Sequence, residues 1–268
     1  MLRLAYSFFR RDAAIAFSYR FAFFAQFTGN ILLLGLLYYV GQMIGPRALP
    51  SLDRYGGNFL AFALVGVALT DTVMVSLISF GQQVREAQTT GTLEATLMSP
   101  VPLWVILIFS SLWNYFLSAF RFALYLVVGA FLYGLHLGQA HMGSVLIIFA
   151  LTVLCFMGAG MAWAAIVLVI KRGEALMTLI VTAVLVLSGV IFPPSVLPGW
   201  LQSLGALIPL TDALDGMRIA LLQGASPAEL AGPIGRLTVF SIVFLLLGVI
   251  GFDQAVRIGR RNGSLTQY

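Results

Sequence analysis

Gln82-Gln83-Val84-Arg85-Glu86-Ala87-Gln88-Thr89-Thr90-Gly91-Thr92-Leu93-Glu94-Ala95-Thr96-Leu97-Met98-Ser99-Pro100-Val101-Pro102 is a polar break between two long apolar runs. It holds three charges, Arg85, Glu86 and Glu94, together with five hydroxyl residues and a Pro-x-Pro stop. The sequence around it has the composition of lipid-facing protein. The break separates apolar runs that are each long enough to cross a bilayer, so it fixes a polytopic architecture.

The whole chain agrees with that reading. Of its 268 residues, 60% are hydrophobic and only 9% charged, whereas soluble domains carry about 25% charged residues. Apolar runs near 20 residues long indicate membrane helices. They do not alternate apolar with polar residues, which excludes the strands of a membrane barrel. The expected fold is all-α. It has six transmembrane helices, an N-terminal interfacial helix and a re-entrant external helical hairpin. The single domain, 1–268, subdivides into an interfacial helix at 1–20, a cytoplasmic loop at 82–102 and an external hairpin at 193–233. The expected spans are Phe21–Gly45, Gly56–Phe80, Leu103–Gly134, Gly143–Ile170, Ala175–Phe192 and Ile234–Val256.

The net charge of +5 comes almost wholly from Arg, with Lys171 the only lysine. Its position matters more than its size, and it reads as membrane topology rather than as a nucleic-acid signal. With the N-terminus inside, the inner segments hold Arg3, Arg10, Arg11, Arg20, Arg85, Lys171, Arg172, Arg257, Arg260 and Arg261. The outer segments hold Arg47, Arg54, Arg218 and Arg236. The excess of inner cations predicts that both termini, and the 82–102 stretch, are cytoplasmic. Residues 3–20 read as a surface helix, with Arg3 and Arg10 on one face and Leu4, Phe8 and Ile15 along another. The 193–233 segment is too apolar for a solvated loop and too short to span. It reads as two short helices broken at Pro209, with Pro193, Pro198, Trp200, Pro209, Asp212 and Arg218 as its marker residues.

Chemistry is sparse. A P-loop requires G-x-x-x-x-G-K-[ST], and Lys171 lies between Ile170 and Arg172. Any ATP that drives this chain, with its Mg, is therefore bound by another polypeptide, and no cofactor or catalytic residue is expected here. His136 and His141 in an outer loop read as surface histidines rather than metal ligands. The lone Cys155 reads as a buried small hydrophobe. Asp212-Ala213-Leu214-Asp215-Gly216-Met217-Arg218 superficially resembles a lipid-head-group transferase motif but lacks the Ala-Arg that should follow. Asp212 and Asp215 read instead as helix-start carboxylates. Two charges, Asp71 and Arg121, fall inside predicted spans. Each costs about 2.5–3.5 kcal/mol in lipid and must face protein or water. They read either as an ion pair between neighbouring spans or as lining of a pathway. Small residues at four-residue spacing in Gly158-Ala159-Gly160-Met161-Ala162 read as a helix-packing face.

Within the 82–102 stretch, Gly91 permits a sharp turn, Thr92–Leu97 reads as a short helix, and Pro100 and Pro102 re-aim the chain. Leu93 and Leu97 form its apolar edge. On residues alone this is either a rigid knob fitted to a cytoplasmic partner or an ordinary amphipathic connector. Glu86-x4-Gly91-Thr92-Leu93-Glu94-x2-Leu97-Met98-Ser99-Pro100-Val101 closely resembles the cytoplasmic loop of type-2 ATP-binding-cassette exporter permeases. Ser188-Gly189-Val190-Ile191-Phe192-Pro193, Leu197-Pro198-x-Trp200-Leu201, Pro209-Leu210-Thr211 and Arg218-x3-Leu222-x-Gly224 resemble that family's external hairpin. The resemblance implies two permease chains in the cytoplasmic membrane, most simply a homodimer, above two cytoplasmic ATPase subunits. It implies that Arg85, Glu86, Gly91, Thr92, Leu93, Glu94 and Leu97 couple the ATPase to the spans. It also implies that the outer hairpins cover an exit path among membrane lipids. It does not imply a substrate. A secondary transporter would show internal repeats and broken spans, and a membrane enzyme would show a cluster of acids, bases or metal ligands. Neither pattern is visible.

Overall fold

The computed structural model describes residues 2–18, 20–44, 50–55, 58–92, 96, 98–99, 101–134, 138–170 and 174–261. Leu93, Glu94, Leu97, His136, Lys171 and Arg172 lie outside the described residues. Among those described the fold is all-α, without strands. Helix α1 (Leu2–Ser18) and α2 (Arg20–Ile44) lead to a short 3-10 helix, Pro50–Tyr55. Then come α3 (Phe59–Thr89), α4 (Leu103–Tyr133), α5 (Met142–Ile170) and α6 (Glu174–Leu187). A short 3-10 turn at Pro194–Val196, α7 (Gly199–Gly205), α8 (Pro209–Leu222) and α9 (Ala231–Arg261) complete the chain.

Four of these helices are long and apolar enough to cross a membrane: α3, α4, α5 and α9. The sequence predicts six spans. The other two expected spans correspond to shorter described apolar stretches, Ile31–Met43 within α2 and Leu176–Leu187 within α6. The difference is sharpest at α6. Its 14 residues rise only about 21 Å, against a hydrocarbon core of about 30 Å. The helix stops at Leu187, and Gly189 adopts a left-handed φ of 71°, which a residue with a Cβ adopts only under strain.

Elsewhere the boundaries shift for local reasons. Helix α3 does not stop at Phe80 but runs through Gln82–Thr89, so the first part of the polar stretch is helix rather than loop. Its sequence there contains no Gly or Pro after Gly81 until Gly91, and Gln, Glu, Arg and Ala are good helix formers. Pro209 is the first residue of α8, the position where a missing N–H costs nothing. The break in the hairpin is therefore Ala206–Ile208, just ahead of it.

Helix α5 is the centre of the bundle, packing most extensively on α9 and then on α3. Its small residues explain how. A Cβ on Gly158 would overlap the backbone of Phe244 and Leu245 in α9, and one on Gly248 would overlap the Gly158 carbonyl. A Cβ on Gly160 would overlap the Ser76 carbonyl in α3. Two glycines, two residues apart, thus let two different helices approach backbone to backbone on opposite sides. On α1 a residue that docks is Phe9; the side chains of Leu4 and Ile15 lie outside those described. Phe9 meets Trp113 and Phe116 of α4 edge-on, with centroids 5.1 and 5.5 Å away, while Arg11 lies over the Phe8 ring at 4.8 Å.

Gly158→Val should separate α5 from α9. Overpacking at a close contact costs about 1–3 kcal/mol or more, so its thermal unfolding midpoint in detergent should fall by several degrees. Gly251→Ala, where no atom lies within 4 Å of the added Cβ, should leave the midpoint unchanged or raise it.

Candidate functional site

Three groups of polar residues are laid along the bundle, and α3 touches all of them. The first lies where α3 emerges from the apolar core. Arg85 and Glu86 are exposed there. The helix is closed by a knot of hydroxyls on one carbonyl: Thr90 N–H, Thr90 Oγ and Thr89 Oγ all donate to Glu86 O, at 2.9, 2.7 and 3.1 Å. Thr90 Oγ also meets Thr92 Oγ at 2.9 Å. Gly91 follows with φ 70° and no neighbour within 4 Å of a notional Cβ, so its left-handed turn stands clear of the protein. Beyond it Thr96 Oγ donates to Thr92 O at 2.8 Å. Pro102 opens α4, its carbonyl accepting from Val105 and Ile106. A groove of about 790 Å³ beside this turn is walled by Arg11 and Asp12 of α1, Glu86 and Thr90 of α3, and Ser110 and Asn114 of α4. Arg85, Glu86, Gly91 and Thr92 thus share one end of the bundle with the N-terminal helix.

The second group is a ladder between α3 and α4. From the Gly91 end inward, Gln83 Nε2 donates to Ser111 Oγ at 2.7 Å. Tyr115 follows beside Ser76 and Ser79. Ser118 Oγ donates to Thr72 Oγ at 2.9 Å, and Arg121 Nε donates to Asp71 Oδ2 at 2.7 Å. The rungs are registered as antiparallel helices require: positions rise along α4 as they fall along α3. Asp71 and Arg121 are therefore an ion pair at the deep end of this ladder. Arg121 is 5% exposed and Asp71 24%. Their charges satisfy each other where lipid cannot, and the neutral rungs lock the register.

The third group joins the hairpin to the opposite end of α3. Arg218, only 1% exposed, donates through Nε to Phe62 O at 3.2 Å and through Nη2 to Gly189 O and Val190 O at 3.0 and 2.8 Å. Its guanidinium carbon lies 3.4 Å from the Phe62 ring centroid. A Cβ on Gly66 would overlap the Val190 carbonyl, so glycine is what lets the hairpin turn settle on α3. Burial pushes the Arg218 guanidinium down to about 9, while Tyr55 and Asp215 act to hold it up. It keeps its charge at neutral pH.

Around it, Tyr55 Oη donates to Asp215 Oδ1 at 2.7 Å and Arg54 Nη2 to Asp215 Oδ2 at 3.2 Å. Burial, and then the Asp215 carboxylate, push the Tyr55 hydroxyl up to about 12, so it stays a donor. Arg236 of α9 grips Asp212 through Nε and Nη2, with contacts of 2.6 to 3.0 Å. Gln223 reaches the Arg54 carbonyl.

The sequence placed Asp212 and Asp215 at a helix start. Only Asp212 is in the first turn of α8, and Asp215 instead anchors the 3-10 helix. The roles of Tyr55, Arg54 and Arg236 depend on contacts more than 20 residues apart in the chain, and no local pattern announces them. Pro193 is buried, whereas Pro198 and Trp200 are exposed on the hairpin. His141 is part of a helix start: its Nδ1 accepts from Ser144 N–H at 3.1 Å. Among the described residues, no three His, Cys, Asp or Glu side chains are grouped to hold a metal ion.

The family model for ABC-2 type transporters matches residues 4–222, from α1 through the end of α8. The chain belongs to the ABC-2 type transporter family. No curated protein matches the chain. Family membership makes this ABC-2 chain the membrane permease subunit of an ABC transporter, a multi-pass protein whose ATPase is a separate chain. The matched region contains all three polar groups except Gln223, just past α8, and Arg236, which projects from α9.

In this ABC-2 permease, Asp71→Ala should lower the thermal unfolding midpoint by the equivalent of about 3 kcal/mol, because it strands Arg121 without a counter-charge. Asp71→Ala combined with Arg121→Met should recover part of that loss. A double variant as unstable as the sum of the two single variants would show that the two side chains do not act as a pair.

Proposed function

We propose that this permease is an exporter. It would move a lipid, glycan, drug-like or other amphipathic molecule from the cytoplasm or inner leaflet outward, as a homodimer in the cytoplasmic membrane with both termini inside. The observation that carries the coupling assignment is the end of α3. One continuous helix leaves the apolar core, exposes Arg85 and Glu86, and ends at a left-handed Gly91 whose N–H donates to Gln88 O and beside which no described side chain packs. An exposed, hydroxyl-capped turn on a rigid rod suits a partner that must push on the membrane domain. The separate ATPase of the family supplies such a partner, and ATP with its Mg would be bound there.

The remaining elements fit this reading. Arg85, Glu86, Gly91 and Thr92 form the described part of the docking surface, and Leu93, Glu94 and Leu97 complete it in sequence. Helix α6 packs mainly on α7, and its Leu176, Leu179 and Val186 are exposed; this surface favours a second permease copy or surrounding lipid. The inner excess of Arg and Lys supports the orientation. The hairpin carrying Pro193, Pro198, Trp200, Pro209, Asp212 and Arg218 then lies outside, over the exit. Nucleotide can drive the transition only through contacts that differ between the inward and outward arrangements. A turn that carries no internal packing is free to make them.

Glu86→Arg and Gly91→Pro should each reduce co-purification of the ATPase or uncouple its hydrolysis from transport by about tenfold. Glu86→Arg, at an exposed position, should not change the unfolding midpoint of the permease alone by more than about 1 kcal/mol, whereas Gly91→Pro cannot hold the left-handed φ and loses the N–H bond to Gln88 O, and should lower it modestly. Full transport by both variants would sink the coupling assignment and leave the family assignment intact.

A further inference from the structure

The hairpin end of the bundle encloses a cavity of about 620 Å³, within the size range of small-molecule sites. Three guanidinium groups line it, Arg54, Arg218 and Arg236, against two carboxylates, Asp212 and Asp215. Both carboxylates are committed. Asp212 is gripped through Nε and Nη2 of Arg236, and Asp215 takes Arg54 and the Tyr55 hydroxyl. The lining therefore keeps one unneutralised positive charge, on Arg218, whose hydrogen bonds all go to backbone carbonyls.

Two donors on the same wall remain open. Ser188 also lines the cavity and is 1% exposed, and its Oγ has no hydrogen-bond partner among the described residues. Arg218 donates only through Nε and Nη2, so the two N–H groups of Nη1 are left for a further acceptor. A buried polar group without a partner is costly, and more so near a charge. A cation finds no free carboxylate here, and an apolar molecule satisfies neither donor. A dianion overbalances the single positive charge.

We propose that this cavity binds a singly charged oxyanion of the phosphate class, with Ser188 Oγ and Arg218 Nη1 donating to its oxygens. The phosphodiester of a lipid head group and a free phosphate share that chemistry. The proposal concerns binding to the chain itself and does not depend on the direction of transport or on ATPase coupling.

The test uses the purified full chain in a nonionic detergent. Its thermal unfolding midpoint is followed, at a pH below the second pKa of phosphate so that the monoanion dominates, against inorganic phosphate and against short-chain phosphatidylglycerol, with chloride at matched ionic strength as the control. A ligand that binds only the folded state raises the midpoint saturably. We expect a saturable rise that chloride does not produce. A rise with phosphatidylglycerol alone assigns the site to a lipid head group, and a rise with inorganic phosphate assigns it to the oxyanion itself. Ser188→Ala removes the open hydroxyl and no recorded contact, and should weaken the apparent affinity about tenfold, as loss of a hydrogen bond to a charged group does. Arg54→Gln, at the exposed rim, removes the excess charge by another route and should also weaken it. Absence of a saturable rise with either probe, or equal affinity in the wild type and both variants, would overturn the proposal and leave a cavity that holds only water.

Discussion

Arg218 is the residue on which the hairpin end of this molecule depends. A fully buried guanidinium is normally expensive, because desolvation penalises its charge. Here the charge is met by carbonyls from two places, Phe62 on α3 and Gly189–Val190 just past the end of α6. Those last carbonyls lie just beyond Leu187, where a cation is favoured by the negative end of the helix dipole, while carbonyls of the last turn of α6 accept from the Ser188 and Gly189 N–H groups. One side chain thereby ties the chain leaving α6 to α3. It also fixes the direction in which the hairpin departs.

The contact needs several permissive residues at once. Gly66 must lack a Cβ for the Val190 carbonyl to lie against α3, and Gly189 must take a positive φ to turn the chain. Phe62 supplies both a carbonyl and a ring face beneath the guanidinium. Replacing any one leaves the others without purpose, and the strain would fall on the hairpin rather than on the central helices. The centre is held differently. There α3, α5 and α9 meet through Gly158, Gly160 and Gly248, where close backbone approach and dispersion replace the hydrophobic effect that lipid cannot supply.

How much of this could be read from the sequence follows from range. The all-α membrane class, the edges of α4 and α5 and the packing role of Gly158 and Gly160 are legible, because apolar runs and small-residue spacing are local signals. Asp71 and Arg121 are legible as problems, since charges in apolar runs require partners, and the antiparallel neighbours α3 and α4 made each the natural partner of the other. The six-span count is not confirmed by the described helices: within the apolar run 175–192 the helix stops at Leu187, and Gly189 turns the chain with a positive φ that hydropathy does not register. The extension of α3 through Thr89 was obscured because polar residues after an apolar run look like a loop, although their helix propensity is high. Tyr55 and Arg54 carry no local signature at all. Their significance is created by folding separations of 160 and 161 residues into bonds to Asp215.

These constraints meet in α3. Its 31 residues make a rod of about 46 Å. One end carries Arg85, Glu86 and the free Gly91 turn, the middle carries the ladder to α4, and the other end carries Gly66 and the Phe62 carbonyl that binds Arg218. Only Gly66 and Gly81 interrupt its sequence with glycine, and both are packed against neighbours. Neither a proline nor an exposed glycine offers a hinge within it. On the proposed coupling, a displacement imposed at Gly91 cannot be absorbed inside α3. It must move α4 through the polar rungs and the hairpin through Arg218. The hydrogen bonds that close the hairpin end are therefore mechanically in series with the Gly91 turn. A two-state transition needs no wire of side chains between them, only one stiff helix whose two ends have different partners in the two states.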